Sequence, residues 1–286
     1  MLRSPFTKRV RCSLGKLRDS SLSRLFAALA KRRLKHPDVG HPHHLPGELI
    51  VSLTSYPTRF ATLHLTLACL LDQSVRADRI ILWIAHQDIE RLPAKVRRLE
   101  GCGLEIRGCD DLRSYKKLIP ALETFPDASI VTADDDISYS RDWLKDLVNG
   151  AEIGVITCHR AHRLKRSDSG ALCPYREWQV DVQDAYSREP SSDVFPTGGA
   201  GALYLPHSFD PRVTDRSLFQ RLCPDGDDLW FYWCARLAGT LNKKVGRKMR
   251  LVTWPGSQAS TLWSNNEAGG NDRMIDALER EFPITS

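Results

Sequence analysis

The chain has 286 residues, of which 42% are hydrophobic and 27% charged, and its formal net charge is +6. It is too apolar for a disordered protein and long enough for one large α/β domain or two small ones. Residues 1–40 carry eleven Lys and Arg against Asp19 and Asp38, so the rest of the chain is slightly acidic. An acidic body disfavours nucleic-acid binding, and we expect no nucleic-acid partner.

The basic N-terminal segment has the spacing of an amphipathic helix. Five leucines and phenylalanines fall on one helical face, with Lys and Arg between them. Such a helix can lie on an anionic membrane surface, but a solvated basic tail explains the pattern equally well. The apolar residues are Leu22, Leu25, Phe26, Leu29 and Leu34, interleaved with Arg24, Lys31, Arg32, Arg33 and Lys35.

The sequence has no segment typical of membrane insertion or secretion. No apolar run approaches the roughly 20 residues that span a bilayer. Met1–Lys35 also lacks the uninterrupted apolar centre and the cleavage site of a secretory signal. We therefore expect a cytoplasmic protein, which would be peripheral on the inner face of the cell membrane if the N-terminal helix binds lipid rather than forming a solvated tail.

Residues 36–46 separate this segment from the body. Two His-Pro pairs and Gly40 oppose regular structure there, so we predict an N-terminal extension and linker over 1–46 and one domain over 47–286. His41, His43 and His44 are of a type that binds metals, but their proline-rich context favours a simple linker.

The domain is predicted to alternate strands with helices. Hydrophobic patterns indicate strands at 48–54, 79–85, 104–107 and 128–133, and helices at 61–72, 93–99 and 114–125. This alternation predicts an α/β fold of Rossmann type with a mostly parallel central sheet. Ligands of such sheets bind outside the carboxyl ends of the strands, so the residues that follow each strand are candidate site residues.

Several common cofactor and metal motifs are missing. No GxGxxG follows the first strand, and GxxxxGK[ST] does not occur, which removes the main support for dinucleotide oxidoreductases and P-loop proteins. The eight cysteines form no CxxC pair and no Cys/His spacing typical of zinc sites, so we expect buried thiols.

Three adjacent carboxylates, Asp134, Asp135 and Asp136, follow the strand predicted at 128–133. In an extended segment Asp134 and Asp136 would face one side and Asp135 the other, so the first and third could share a divalent cation. Mg²⁺ and Mn²⁺ prefer hard oxygen ligands and leave positions for the phosphate oxygens of a nucleotide. The alternative is an exposed acidic turn that caps a helix.

Two cations, Lys116 and Lys117, stand near the start of the helix predicted at 114–125. The helix dipole disfavours cations at that end, which suggests an external anion such as a diphosphate. A solvated surface pair is the alternative.

Four motifs in a fixed order resemble a family of bacterial GT-A glycosyltransferases, similar to glycosyltransferase family 2, over roughly residues 48–275. The motifs are VSLTSYPTR at 51–59, SYKKLIPA at 114–121, TADDDI at 132–137 and DDLW at 227–230. The resemblance implies a GT-A fold that binds nucleotide-diphosphate sugars and a metal-dependent, inverting transfer to a glycan or lipid-linked acceptor. It also implies a role in bacterial surface polysaccharide synthesis.

The resemblance further implies roles for individual residues. Asp228, supported by Asp227, would be the catalytic base. Asp134 and Asp136 would bind the metal, and Gly198, Gly199 and Trp230 the substrate, although composition alone makes 196–205 a flexible turn before a strand. The nucleotide would contact Thr54, Ser55, Tyr56, Arg59, Lys116, Lys117, Asp134 and Asp135, with Tyr56 either stacking on the base or shaping the turn.

The chain departs from the pattern in one respect: it has no histidine after His207, whereas several GT-A enzymes use a C-terminal histidine as a metal ligand. Asn265, Asn266, Asn271 and Asp272 offer replacement oxygens, or else form a surface loop that caps the last helix.

Two other functions are compatible with the sequence. A nucleotidyltransferase that makes the nucleotide sugar also needs a metal, a nucleotide and acidic residues at a parallel sheet, but an evident phosphate loop near the first strand is missing. A non-catalytic carbohydrate-binding or membrane scaffold would use the acidic cluster to hold calcium.

Overall fold

The computed structural model describes residues 22–26, 28–29, 32, 40–257 and 269–283. The described residues of the N-terminal segment are helical. Phe26 packs against the body of the protein, whereas Leu25 is 53% exposed. Leu34, Lys31, Arg33 and Lys35 of the predicted amphipathic helix lie outside the described residues.

A seven-stranded sheet forms the centre of the protein, in the order β11-β7-β10-β6-β2-β4-β5. Every pairing in it is parallel except those of β10 with β6 and β7. The prediction of an α/β fold with a mostly parallel sheet is therefore confirmed. The strands are β1 (His41–Pro42), β2 (Leu49–Thr54), β3 (Val75–Arg76), β4 (Arg79–Ala85), β5 (Leu104–Cys109), β6 (Ser129–Ala133), β7 (Val155–Cys158), β8 (Ala161–Arg163), β9 (Val194–Pro196), β10 (Ala202–Tyr204) and β11 (Leu241–Lys244).

The strand order reverses between β2 and β6. From β2 the chain adds β4 and then β5 on one side, and it returns to place β6 on the other side of β2. The loops that leave the carboxyl ends of β2 and β6 therefore diverge and leave a crevice between them, which is where open α/β sheets bind ligands. The Ser55 loop and the three aspartates both begin at this crevice.

The sheet is covered on both faces, as its nearly continuous apolar strands require. Alternate residues of β2 enter different cores: Ile50 joins the cluster on one face, and Leu49 and Val51 join the cluster on the other. The helices are α1 (Phe60–Leu71), α2 (Ala94–Arg97), α3 (Ile119–Thr124), α4 (Trp143–Asn149), α5 (Arg216–Leu222), α6 (Asp227–Leu237) and α7 (Asn271–Glu281).

The predicted strands agree with β2, β4, β5 and β6, and the helices predicted at 61–72 and 93–99 agree with α1 and α2. The helix predicted over 114–125 is wrong in its first half. Residues Arg113–Lys117 form a 3-10 turn, and α3 begins only at Ile119. Pro120 explains this start, because proline lacks an amide hydrogen and is tolerated in the first turn of a helix but not in its interior.

The predicted linker makes contact with the body. β1 pairs in parallel with β3, and the ring of His43 hydrogen bonds to Asp78 at 2.8 Å. The boundary near residue 47 stays a prediction.

The predicted burial of the cysteines is confirmed for five of the seven that the structure describes. Cys102 is exposed and Cys173 is partly exposed, and the buried ones are Cys69, Cys109, Cys158, Cys223 and Cys234. In the part of the chain that the structure describes, no helix is long and apolar enough to cross a bilayer.

Gly201 fixes the backbone that leads from a 3-10 turn at Gly198–Ala200 into β10. Its φ of +104° lies in the region that favours glycine, and a Cβ there would come within 2.5 Å of the Trp143 indole. The same indole donates a hydrogen bond to the carbonyl of Ala200 at 2.7 Å. Trp143 therefore packs directly against the backbone that carries Gly198 and Gly199.

We expect Gly201→Ala to destabilise the protein by about 2–4 kcal/mol, because it combines backbone strain with overpacking against Trp143. The melting temperature should fall by roughly 5 °C or more. Gly101→Ala is the matched control, because a Cβ at Gly101 would meet nothing within 4 Å. Equal melting temperatures for the two variants would contradict this account of Gly201.

Candidate active site

A cavity of about 770 Å³ opens at the crevice between the carboxyl ends of β2 and β6. Its volume is in the range typical of small-molecule sites. Most of the residues predicted from the sequence line it, although they come from widely separated segments of the chain. The predicted residues in its wall are Thr54, Ser55, Tyr56, Arg59, Lys116, Lys117, Asp134, Asp135, Asp136, Gly199, Asp227 and Asp228.

Trp230 does not line the cavity, which corrects the prediction that it contacts substrate. Its side chain is 1% exposed, and its indole nitrogen donates a hydrogen bond to the carbonyl of Val213 at 2.9 Å. Asp228 and Trp230 are two residues apart in α6, so they point to nearly opposite faces of the helix. The helix therefore presents the acid to the cavity and the indole to the core.

The three adjacent aspartates all reach the cavity, which corrects the expected alternation of faces. The chain turns at Asp135 and Asp136 instead of continuing as an extended strand. Asp135 accepts a hydrogen bond from the Ser55 hydroxyl at 2.5 Å, and Asp136 pairs with the guanidinium of Arg59. Both carboxylates are buried, so this segment is not an exposed acidic turn.

Burial changes the acidity of the middle carboxylate. Removal from water raises the pKa of Asp135 to about 7, and the neighbouring Asp136 and Asp134 add to this rise, whereas the Ser55 hydrogen bond and Arg59 oppose it. The carboxylates in turn raise the pKa of Arg59, although burial acts against them. The loop after β2 is thus tied electrostatically to the loop after β6.

Tyr139 holds the first aspartate against the glycine-rich turn. Its hydroxyl accepts a hydrogen bond from the amide of Asp134 and donates one to the carbonyl of Gly199, each at 2.8 Å. Tyr139 was not predicted as a site residue from the sequence. Its position five residues after Asp134 gives no local signal, because the partner that explains it is sixty residues away.

Lys117 lies between the two groups of carboxylates. Its ammonium is 3.3 Å from Asp134 Oδ1 and 2.9 Å from Asp227 Oδ2. These carboxylates, together with Asp228, raise the pKa of Lys117 well above its usual value even though burial lowers it. The Lys117 carbonyl accepts a hydrogen bond from Ser52 of β2 at 2.6 Å, which anchors the residue to the sheet.

Lys116 and Lys117 are not exposed surface residues, and they precede α3 rather than form its first turn. The reasoning from the helix dipole therefore does not apply to them. Lys116 pairs instead with Asp111, which also lines the cavity. The two lysines are fixed by carboxylates, with Lys117 facing the aspartates after β6 and at the start of α6.

The glycines at 198 and 199 allow the acids to approach the backbone closely. A Cβ on Gly198 would be 2.8 Å from Asp228 Oδ1, and a Cβ on Gly199 would be 2.5 Å from Asp134 Oδ2. Neither distance is tolerable for a real side chain. The lack of side chains at these positions therefore lets Asp228 and Lys117 pack against Gly198, and Asp134 pack against Gly199.

Asp228 accepts a hydrogen bond from the Gly198 amide at 3.0 Å. Burial raises the pKa of Asp228 to about 7, and Asp227 adds to the rise while Lys117 and the Gly198 amide oppose it. Neither Asp225 nor Asp227 caps α6, since the N-cap is Gly226 and makes no side-chain hydrogen bond. A carboxylate with a pKa near neutrality is suited to accept a proton.

The cavity contains further residues that the sequence did not reveal. Arg160 and Tyr175 lie in the wall, the latter beside Phe195 with ring centroids 6.2 Å apart. Of the residues that the sequence offered in place of a C-terminal histidine, Asn271 at the start of α7 reaches the cavity, and Asp272 accepts a hydrogen bond from the Tyr175 amide at 2.7 Å. Asn265 and Asn266 lie outside the described residues.

The described lining carries a net negative charge, with seven aspartates against five lysines and arginines. Hard carboxylate oxygens match the preferences of Mg²⁺ and Mn²⁺, and this excess matches one divalent cation. Among the described residues, however, no group of three or more His, Cys, Asp or Glu is arranged to hold a metal ion. Asp134 is the most exposed of the three adjacent aspartates, with 37% of its side chain accessible.

The chain matches no protein-family model and no curated protein. Similar solved structures include the inositol-1-phosphate CTP transferase from T. maritima, at 10% identity over 81% of this chain and 96% of that one, with a TM-score of 0.39. S. aureus TarS 1-349 matches at 8% identity over 82% of this chain and 72% of that one, with a TM-score of 0.44. Likenesses this distant identify no activity and no residue role.

A third similar structure is the 2-C-methyl-D-erythritol 4-phosphate cytidylyltransferase from Thermus thermophilus. It matches at 13% identity over 74% of this chain and 94% of that one, with a TM-score of 0.39.

Replacing Asp228 by Asn should stabilise the ligand-free protein at neutral and alkaline pH. Because the pKa of Asp228 is raised to about 7 on folding, its contribution to stability is present at acid pH and is lost as pH rises through 7. The Asn side chain is neutral at every pH in this range, and its carbonyl oxygen can still accept the hydrogen bond from the Gly198 amide. In EDTA, the melting temperature of Asp228→Asn should exceed that of the wild type by roughly 5 °C more at pH 8 than at pH 5.

Asp168→Asn is the control, because Asp168 is exposed and away from the cavity. A difference between Asp228→Asn and wild type that stays constant from pH 5 to pH 8 would show that the pKa of Asp228 is not raised.

Proposed function

We propose that the chain is a glycosyltransferase of the GT-A type, which moves a sugar from a nucleotide-diphosphate sugar to a hydroxyl group of a glycan or lipid-linked acceptor. Asp228 is the base, and the residues around Asp134 and Lys117 bind the donor diphosphate. The transfer inverts the anomeric configuration. The enzyme acts in the synthesis of bacterial surface polysaccharide.

One observation carries this proposal: the candidate base Asp228 and the candidate diphosphate residues Lys117 and Asp134 all pack against the same two glycines. Asp228 packs against Gly198 and Asp134 against Gly199. A base that deprotonates an acceptor hydroxyl must stand across the anomeric carbon from the leaving diphosphate. We therefore assign the donor sugar to the space beside the turn at Gly198–Ala200, between Asp228 and Asp134.

The donor nucleotide is assigned to the loop after β2. The hydroxyl of Tyr56 accepts a hydrogen bond from Arg59 at 3.2 Å, and the ring is 39% exposed at the cavity wall, so its face is accessible to a base. Thr54 and Ser55 offer hydroxyl groups at the carboxyl end of β2. Lys117 lies deeper in the cavity, beside Asp134, where its ammonium can contact phosphate oxygens.

A divalent cation, Mn²⁺ or Mg²⁺, is part of the proposal. A magnesium site commonly uses one or two carboxylates together with substrate phosphates and water, so a preformed cluster of three protein ligands is not required. Asp134 would be the first ligand, because it is the most exposed of the three acids, and Asp136 the second. When bound, the ion would neutralise charge on the departing diphosphate.

The reaction itself needs one proton acceptor from the protein. As the acceptor oxygen forms its bond to the anomeric carbon, the bond from that carbon to the diphosphate breaks, and Asp228 takes the hydroxyl proton. A pKa of about 7 lets the carboxylate be ionised in much of the protein at neutral pH while still being basic enough to hold a proton. Asp227, paired with Lys117, keeps the ammonium in place.

The acceptor side of the proposal includes contact with an anionic membrane through the N-terminal segment, at the cytoplasmic face. The exposed leucines support this assignment, since Leu25 and Leu29 are 53% and 36% exposed in a segment rich in Lys and Arg.

Donor binding should require a divalent cation. In a thermal-shift panel of UDP-, GDP-, CMP- and dTDP-sugars, we expect one nucleotide class to raise the melting temperature in the presence of Mn²⁺, because a ligand of the native state stabilises it. Asp134→Asn should abolish this Mn²⁺-dependent shift while keeping the shape of the side chain. Asp168→Asn should retain it, and an undiminished shift in Asp134→Asn would remove Asp134 from the metal site.

Transfer should depend on Asp228. With the donor so identified, and with oligosaccharide and lipid-linked acceptors, Asp228→Asn should lower kcat by roughly 10²–10⁴-fold, the usual contribution of a general base. Its Mn²⁺-dependent thermal shift should remain. A folded Asp228→Asn variant with normal transfer would refute the assignment of the base.

The same assay separates the alternatives by their products. A nucleotidyltransferase would release pyrophosphate from a nucleoside triphosphate and a sugar phosphate. A binding protein would show the thermal shift without any product.

A further inference from the structure

Four of the five lysines and arginines in the described cavity wall are neutralised by aspartates. Each forms an ion pair with a carboxylate that also lines the cavity, so their charges are already matched within the protein. These pairs are Arg59 with Asp136, Lys116 with Asp111, Lys117 with Asp227, and Arg113 with Asp225.

Arg160, in the loop between β7 and β8, is the fifth cation. Its guanidinium donates to the hydroxyl of Thr197 at 3.1 Å, and no Asp or Glu oxygen of residues 40–257 or 269–283 lies within 4.0 Å of it. The backbone is fixed as well, since the amide of Thr197 donates to the carbonyl of Arg160 at 3.0 Å. A guanidinium has five N–H donors in a planar fork, and the protein engages few of them here.

Arg160 and the base are attached to adjacent residues of the same turn: the Arg160 guanidinium donates to the Thr197 hydroxyl, and the amide of Gly198 donates to Asp228 at 3.0 Å. Both Asp228 and Arg160 act on Tyr175, whose pKa is raised chiefly by burial, with Asp228 adding to the rise and Arg160 opposing it. The phenol therefore lies within electrostatic reach of both groups. Tyr175 is supported from behind by Trp178, at 4.8 Å between ring centroids. An aromatic ring so held is a surface on which a sugar can stack.

The base, the aromatic ring and the guanidinium together define a candidate subsite that adjoins Lys117 at Gly198. The diphosphate side already has its cations paired, whereas Arg160 offers an unmatched charge beside the base. Guanidinium forks recognise carboxylates and phosphates in a bidentate manner. No carboxylate of the described residues lies within ion-pair distance of Arg160, so the guanidinium is able to accept an anionic group of a ligand.

We infer that Arg160 binds an anionic group of the acceptor, a carboxylate or a phosphate, close to the hydroxyl that Asp228 deprotonates. The acceptor is thus an acidic sugar or a sugar phosphate, with its ring on Tyr175. This inference rests on the proposed function, because it assigns the acceptor of that reaction. A neutral sugar would leave the guanidinium of Arg160 without an anionic partner, and we therefore expect it to bind weakly.

Binding can be measured on the full chain without turnover. In protein labelled with ¹⁵N-arginine, the Nε–H resonance of Arg160 is identified by its loss in Arg160→Lys. Glucuronate and glucose 6-phosphate are titrated as the carboxylate and phosphate probes, with glucose as the neutral probe. We expect a saturable shift with at least one anionic probe and none with glucose, and the stronger probe indicates which anion the acceptor carries.

Two variants test whether the shift reports a site. In ligand-observed saturation-transfer experiments, Arg160→Gln should weaken binding of the effective anionic probe by about tenfold or more. Arg113→Gln is the matched control, because Arg113 lines the same cavity but is 65% exposed and paired with Asp225, and it should leave the affinity unchanged. Equal loss in both variants would mean general attraction to basic charge and would overturn the inference.

The last titration uses nucleoside diphosphates with Mg²⁺, which probe the donor site. If they shift the Arg160 resonance and the anionic sugars do not, Arg160 belongs to the donor site and the inference is wrong. An Arg160 resonance that no probe shifts overturns it too. Failure of the proposed function is seen separately, as absence of product with every donor, and it leaves the binding result intact.

Discussion

The buried ammonium of Lys117 connects the two acidic groups on which the cavity is built. It lies 3.3 Å from Asp134 and 2.9 Å from Asp227, and its backbone is bonded to β2. A buried charge without partners would be strongly destabilising, and so would a set of carboxylates without a cation. The segment after β6 and the start of α6 are thus held together by the same charge that the proposed donor diphosphate would contact.

The glycine-rich turn depends on this arrangement. Asp228 can approach Gly198 and Asp134 can approach Gly199 because neither glycine has a side chain, and Tyr139 and Trp143 donate hydrogen bonds to carbonyls of the turn. The cavity therefore combines a rigid framework with poorly compensated charge. Its carboxylates outnumber its cations, and the pKa values of Asp135 and Asp228 are raised to about 7. Such perturbed groups are typical of functional sites.

The charges of the cavity also divide it into two sides. On the side of β2 and β6, Arg59 and Lys117 are paired with aspartates. On the side of Tyr175, Arg160 is matched by no described carboxylate. Under the proposed function, this asymmetry would separate a donor side, where a metal ion and phosphates complete the charge balance, from an acceptor side that selects by charge and stacking.

The sequence alone determined the α/β class, the first strands and helices, and the positions of the acids. Buried parallel strands are continuous apolar runs such as Ser129–Ala133, and the residues after them lie at the ligand-binding edge of any such sheet. Only the tertiary structure decided how the side chains meet. The turn after Ala133 sends all three aspartates into one cavity, Pro120 delays α3, and helix geometry directs Trp230 into the core. The positions of Tyr139, Arg160 and Tyr175 in the cavity could not be predicted from the sequence for the same reason. They depend on contacts between residues far apart in the chain, which local periodicity does not encode.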